Sequence, residues 1–106
     1  MKRSWTLGRA EDCDIRVNDE YASPQHCRII AAENGLVTVE DLGSTNGTRL
    51  RPPNAGRHGG VRVLGPTPIR VGDIIQIGRT NITIIQIGRT NITWTMPVGE
   101  NVQVTP

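Results

Sequence analysis

In Val37-Thr38-Val39-Glu40 apolar and polar residues alternate strictly, so both valines face one side of an extended chain and Thr38 and Glu40 the other. The same short rhythm recurs along the chain, interrupted every few residues by Gly, Pro, Asn or Asp. No window carries apolar residues at helical spacing. The pattern predicts strands at Ser4–Leu7, Asp14–Val17, His26–Ala32, Leu36–Asp41, Thr48–Leu50, Val61–Leu64, Thr67–Arg70 and Ile74–Ile77, with a further strand after Asn81. Glu33-Asn34-Gly35 and Val71-Gly72-Asp73 read as turns between them. Arg51 to Gly60, RPPNAGRHGG, is too rich in Pro and Gly for regular structure and reads as an exposed loop. Many short strands with such punctuation predict an all-β sandwich or barrel.

One segment departs from this rhythm. Residues 74–83 read IIQIGRTNIT, and residues 84–93 repeat them without a difference. Solenoid repeats are longer and diverge, so this is a tandem copy and not a repeat architecture. Ten is even, so slipping the chain by one copy returns every side chain to its proper face. The spare copy also carries an uncharged Ile-Ile-Gln-Ile run suited to pairing with another sheet edge. It is expected to pair between subunits, giving a strand-mediated homodimer.

Composition narrows the picture. The 106 residues read as one domain, 1–106, with enough Ile, Val and Leu for a core although Phe is absent. Twelve basic and ten acidic residues leave a net charge of +2, and there are only two Trp and one Tyr. Nucleic-acid binding calls for a stronger basic excess or aromatic platforms, so no such partner is expected. Cys13 and Cys27 form no CxxC pair and have no His at zinc spacing, so they read as reduced thiols, with no metal or cofactor implied. No signal peptide and no apolar run of membrane length is visible, and the cytoplasm is the expected location.

Three small motifs carry chemistry. Gly8-Arg9 follows the first strand: the glycine permits a tight turn, and the arginine offers a planar fork of donors suited to phosphate. In Ser23-Pro24-Gln25-His26 a loop hydroxyl precedes a histidine expected to begin the next strand. Ser23 and His26, with Asp41 as a third member, would also be the parts of a hydrolase. Against that reading, no nucleophile elbow surrounds Ser23, and residues three apart entering a strand point to opposite faces. No catalytic residue is assigned, and the chain does not read as an enzyme. Gly43-Ser44-Thr45-Asn46-Gly47-Thr48 contains Asn-Gly between strands, a tight-turn signal and a rigid mount for Thr45 and Asn46.

In this order and spacing, GRAEDCDIRVNDEYASPQHCRI, VEDLGSTNGT and IRVGDIIQIG together resemble the forkhead-associated (FHA) domain family, over roughly residues 5 to 83. The resemblance implies a β-sandwich of about eleven strands with ligand loops at one end. It implies binding of phosphothreonine peptides in kinase signalling. Arg9, Ser23 and Thr45 would hold the phosphate, and Asn46 the peptide backbone. Gly8, His26 and Gly47 would shape the loops. Tyr21, two residues before Ser23, stands where the family selects the third residue after the phosphothreonine, and a tyrosine there argues against a strict acidic preference. Pro24 departs from the basic or amide-bearing residue common at its position and supplies neither a side-chain donor nor an N–H. A scaffold or oligomerisation domain with a vestigial phosphate pocket is therefore the alternative. Arg28, Arg49, Arg51 and Arg57 read as solvated surface arginines, with contact to flanking acidic residues as the other option.

Overall fold

The computed structural model describes residues 4–55, 59–87 and 92–96. They form ten strands and no helix: β1 (Ser4–Gly8), β2 (Ile15–Arg16), β3 (Cys27–Ala31), β4 (Val37–Asp41), β5 (Thr48–Arg51), β6 (Val61–Arg62), β7 (Thr67–Pro68), β8 (Ile74–Ile77), β9 (Thr80–Ile87) and β10 (Ile92–Thr95). One sheet runs β2-β1-β3-β4-β7 and the other β10-β9-β8-β5-β6. The predicted all-β sandwich is the fold, with ten strands among the described residues where about eleven were expected. Residues 56–58 of the Pro/Gly-rich loop, Arg57 among them, lie outside the described residues, as do 88–91 of the second copy.

Period-two burial explains the pairing of the layers. Leu7, Ile29 and Val39 are fully buried on the first sheet, as are Ile75, Ile77, Ile82 and Ile84 on the second. Branched aliphatic side chains suit a pleated surface packed on one face, and Trp5, Ala31, Val37, Leu50 and Met96 complete the core. The registers bring the functional loops to one end. Leu7 lies opposite Cys27 and Cys27 opposite Asp41, while Thr48 faces Ile77 and Ile77 faces Thr80. The β1–β2, β2–β3, β4–β5 and β8–β9 connections therefore all leave the sandwich at the same rim.

The tandem copies occupy different environments. The first makes β8 and the start of β9; the second continues β9 and opens β10. The turn at Gly78-Arg79 pairs Ile77 with Thr80, both buried, so the inward positions change from odd to even numbers across it. Ile84 is consequently buried, while Ile85 is 48% exposed; in the first copy it is Ile75 that is fully buried. Beyond that point Thr93 pairs with Gln86 but Trp94 with Ile84, so Ile85 is an unpaired bulge residue. The bulge returns Ile87 to the core side, and Ile87, Ile92 and Trp94 pack against the core there.

Candidate functional site

Gly8 ends β1 under the backbone of the β2–β3 loop. A Cβ on it would stand 2.2 Å from the Pro24 carbonyl oxygen and 3.0 Å from the Cys13 Sγ. Only a glycine admits this approach. It lets the Arg9 N–H donate to the Ser23 carbonyl (3.0 Å) and the Ala10 N–H to the Pro24 carbonyl (3.2 Å). Pro24, unable to donate, acts through that carbonyl, which also accepts from the Cys13 thiol at 3.1 Å. Burial, reinforced by the nearby Asp12 carboxylate, raises the Cys13 pKa, so the thiol stays a neutral packing group. The Arg9 Nε donates to the Ala22 carbonyl (2.9 Å), which ties the exposed guanidinium to the β2–β3 loop.

His26 does not begin a strand as expected; it stands one residue before β3, fully buried. Its Nδ1 accepts the Ser23 N–H at 3.0 Å, so its Nε2 carries the proton and donates to the Gly47 carbonyl at 2.8 Å. The imidazole thus ties the Ser23 loop to the Asn46-Gly47 turn. Both ring nitrogens are engaged with backbone and neither touches the Ser23 hydroxyl, so the Ser-His dyad of a hydrolase is not assembled.

The third member proposed for that dyad has another task. Asp41 accepts the Gly43 and Ser44 N–H groups and the Ser44 and Thr48 hydroxyls, at 2.5 to 3.0 Å. Burial alone would raise its pKa, but the hydrogen bonds from Ser44 and Thr48 outweigh it and hold the carboxyl below its ordinary value. Ser44 Oγ also accepts the Gly47 N–H at 3.0 Å, and Gly43 and Gly47 adopt left-handed φ of 77° and 84°. The turn is thereby braced from inside, and Thr45 and Asn46 project outward, both exposed.

Two bonds join this turn to the β2–β3 loop. The Thr45 N–H donates to Ser23 Oγ (3.1 Å), which leaves the Ser23 hydroxyl proton to donate elsewhere. The Asn46 amide donates to the Tyr21 carbonyl (2.9 Å). Arg9, Ser23, Thr45 and Asn46, drawn from three loops, therefore meet at one rim, and Gly8, His26 and Gly47 supply the links between those loops.

The sequence reading missed a fourth contributor. Asp19, fully buried, accepts the Tyr21 N–H (2.8 Å), the Arg79 N–H (2.8 Å) and the Thr80 hydroxyl (2.9 Å). These bonds outweigh burial and keep its pKa below the ordinary carboxylate value. The β8–β9 turn is pinned beside Tyr21, and Arg79 lies over the Tyr21 ring at 4.8 Å from its centroid. Tyr21, Asn46, Gly47, Arg49, Gln76, Gly78 and Arg79 line a cleft of about 340 Å³. A partner some sixty residues away leaves no local signal, although Gly78-Arg79 at a hairpin tip marks an exposed turn. Among the described residues no group of three His, Cys, Asp or Glu is placed to hold a metal ion.

The FHA domain family model matches residues 5–78. The FHA domain-containing protein FhaB of Mycobacterium tuberculosis is 44% identical over 66 residues, 62% of this chain and 41% of FhaB. The human E3 ubiquitin-protein ligase CHFR is 36% identical over 78 residues, 72% of this chain and 11% of CHFR. The chain thus spans less than half of either relative. Among solved structures, the N-terminal FHA domain of S. cerevisiae Rad53p, in complex with a phosphothreonine peptide, superposes with a TM-score of 0.59 at 25% identity, covering 89% of this chain and 66% of that one. An FHA domain solved for its phosphothreonine-dependent interactions gives 0.64 at 25% identity, covering 83% and 81%. The sandwich, the loops gathered at its rim and the match over residues 5–78 agree: this chain belongs to the FHA domain family.

Proposed function

We propose that the chain is a binding module for phosphothreonine-containing peptides or proteins, and so a reader of protein-kinase products. The observation that carries this reading is the convergence of Arg9, Ser23, Thr45 and Asn46 on one rim, held there by Gly8, His26 and Asp41. A phosphothreonine brings about −1.5 to −2 charges and three strong acceptor oxygens. The free end of the Arg9 guanidinium, the Ser23 hydroxyl proton and the Thr45 hydroxyl supply donors of matching number. Asn46, anchored through one amide hydrogen, keeps its carbonyl oxygen and second amide hydrogen for the peptide backbone. Complexes of the related Rad53p domain with a phosphothreonine peptide support the assignment. The braced turn also argues against a vestigial pocket, because a scaffold role alone needs no outward-facing Arg9, Ser23 and Asn46.

Calorimetric titration with a phosphothreonine peptide library and its unphosphorylated twins tests the proposal. Binding is expected only for the phosphorylated members. Arg9→Ala should weaken it by roughly tenfold to a hundredfold with the fold intact, since hydrogen bonds to charged groups contribute about 1.5–3 kcal/mol. Absence of binding across the library would leave the scaffold reading in its place.

A further inference from the structure

The margins of the two sheets are not equally closed. Among the described residues, β2 and β7 end one sheet, and β10 and β6 end the other. An open strand edge offers unpaired N–H and C=O groups to any chain that approaches, and short length, charge or proline blunts it. β2 is two residues long and carries Arg16, β7 is two residues long and carries Pro68, and β6 is two residues long and carries Arg62. β10 has none of these guards. It runs four residues, Ile92-Thr93-Trp94-Thr95, with neither a charge nor a proline, and β8 and β9 behind it carry no charge either. The extra residue of the bulge belongs to β9, so β10 itself is regular.

The side chains of this edge suit a copy of themselves. Thr93 and Thr95 are exposed on the outer face, whereas Ile92 and Trp94 pack against the core and stay only half-buried. A half-exposed tryptophan at a strand edge is apolar area that a neighbouring strand would cover. Residues directly opposed in an antiparallel pair share a face. A two-fold axis at Trp94 therefore sets Trp94 against the partner's Trp94 on the core side, and Thr93 against the partner's Thr95 on the outer side. Aromatic and Thr–Thr pairs are favourable cross-strand neighbours, and no like charges meet.

We infer that β10 is a dimerisation edge: two copies of this chain pair antiparallel along Ile92–Thr95 and join their β10-β9-β8-β5-β6 sheets into one continuous sheet. The second tandem copy supplies Ile92 and Thr93, so the duplication lengthens the strand that makes the contact. A contact of this length is small, and the dimer forms in a concentration-dependent way. Antiparallel pairing turns the partner end for end, so the two Asn46-Gly47 rims face away from each other. On the phosphothreonine reading above, on which this consequence alone rests, the dimer links two separate phosphorylated partners.

Charge placed on the outer face tests the pairing without touching the core. Thr93→Lys/Thr95→Lys sets like charges against each other across the axis, and Thr93→Glu/Thr95→Glu does the same with opposite sign. In light scattering coupled to size exclusion, the full parent chain should dimerise as concentration rises. Each double variant alone should stay monomeric, and an equimolar mixture of the two should dimerise again. A parent that is monomeric at high concentration overturns the edge, as does a folded Lys variant that still dimerises or a mixture that stays monomeric. Both variants should bind a phosphothreonine peptide within about twofold of the parent. The parent, held on a biotinylated phosphothreonine peptide, should capture a second, fluorescent copy of that peptide, and the Lys variant should not. Capture by the monomeric variant, or none by a dimer that binds the peptide in solution, overturns the linking role. Failure of the peptide to bind any of these proteins overturns the phosphothreonine reading itself, and the scattering result then decides the dimer alone.

Discussion

Asp41 offers the sharpest test of how the site is held. Asp41→Ala removes the acceptor of four hydrogen bonds: those from the Gly43 and Ser44 N–H groups and from the Ser44 and Thr48 hydroxyls. Bonds to a charged acceptor contribute about 1.5–3 kcal/mol each, but these four share one half-buried group and do not add, so a loss of about 3 kcal/mol is expected. Asp41→Asn is the informative partner. Its oxygen can keep the two N–H groups while its amide faces the two hydroxyls, which must turn to accept. The charge is lost and the Thr48 proton, fully buried, loses its acceptor, for about 1 kcal/mol. Urea unfolding of the three proteins at neutral pH should therefore rank parent, Asn, Ala. The folded Asp41 pKa lies below its ordinary value of 3.8, so its stabilisation is present above that pH and disappears as pH falls through the folded value. The gap between parent and Asp41→Asn should close in acid. Phosphopeptide affinity should fall about tenfold or more in Asp41→Ala, because Thr45 and Asn46 lose their mount. Equal stability of Asp41→Ala and parent, or an Asn variant as damaged as the Ala variant, would refute the bracing argument.

Gly8→Ala should destabilise the fold by about 2 kcal/mol or more and weaken phosphopeptide binding as well, because the new methyl meets the Pro24 carbonyl and parts Arg9 from Ser23; thermal unfolding and titration check both. Phosphothreonine should be preferred over phosphoserine about fourfold, the worth of one buried methyl, and equal affinities of matched peptides would remove that contact. Removal of residues 84–93 should convert a concentration-dependent dimer into a monomer in light scattering coupled to size exclusion. Two monomers at high concentration would confine the second copy to its own chain.

The architecture was legible because it follows from period-two burial, which each short strand displays for itself. Val37 and Val39, Ile75 and Ile77 declare their inward face in sequence, and Gly35 and Gly72, both with positive φ, mark the turns expected of them. The rim residues Arg9, Ser23, Thr45 and Asn46 were legible as a set only through the family resemblance, since each motif alone is weak; the registers that bring their loops together were not in the sequence. What holds them was not legible either. Asp41, weighed only as the third member of a hydrolase reading that the sequence itself argued against, is a brace, and His26, expected to shape the loops, does so as a cross-link whose partners no spacing named. Asp19 joins a turn sixty residues on. A carboxylate committed to backbone N–H groups and one committed to a histidine look alike in sequence; only the partners distinguish them.

The repeat shows the same limit from the other side, since identical residues take opposite faces. An inward position is set by counting from a turn, and the two-residue turn at Gly78-Arg79 places Ile77 and Thr80, three apart, on the same side. The second Ile-Ile-Gln-Ile run therefore enters β9 with the parity of the first reversed: Ile84 is buried where Ile74 is not, and Ile85 is exposed where Ile75 is buried. The bulge at Ile85 shifts the parity of β9 once more and returns Ile87 to the core side, opposite Ile92. Which face each copy presents is thus set by its distance from the Gly78-Arg79 turn and not by its residues.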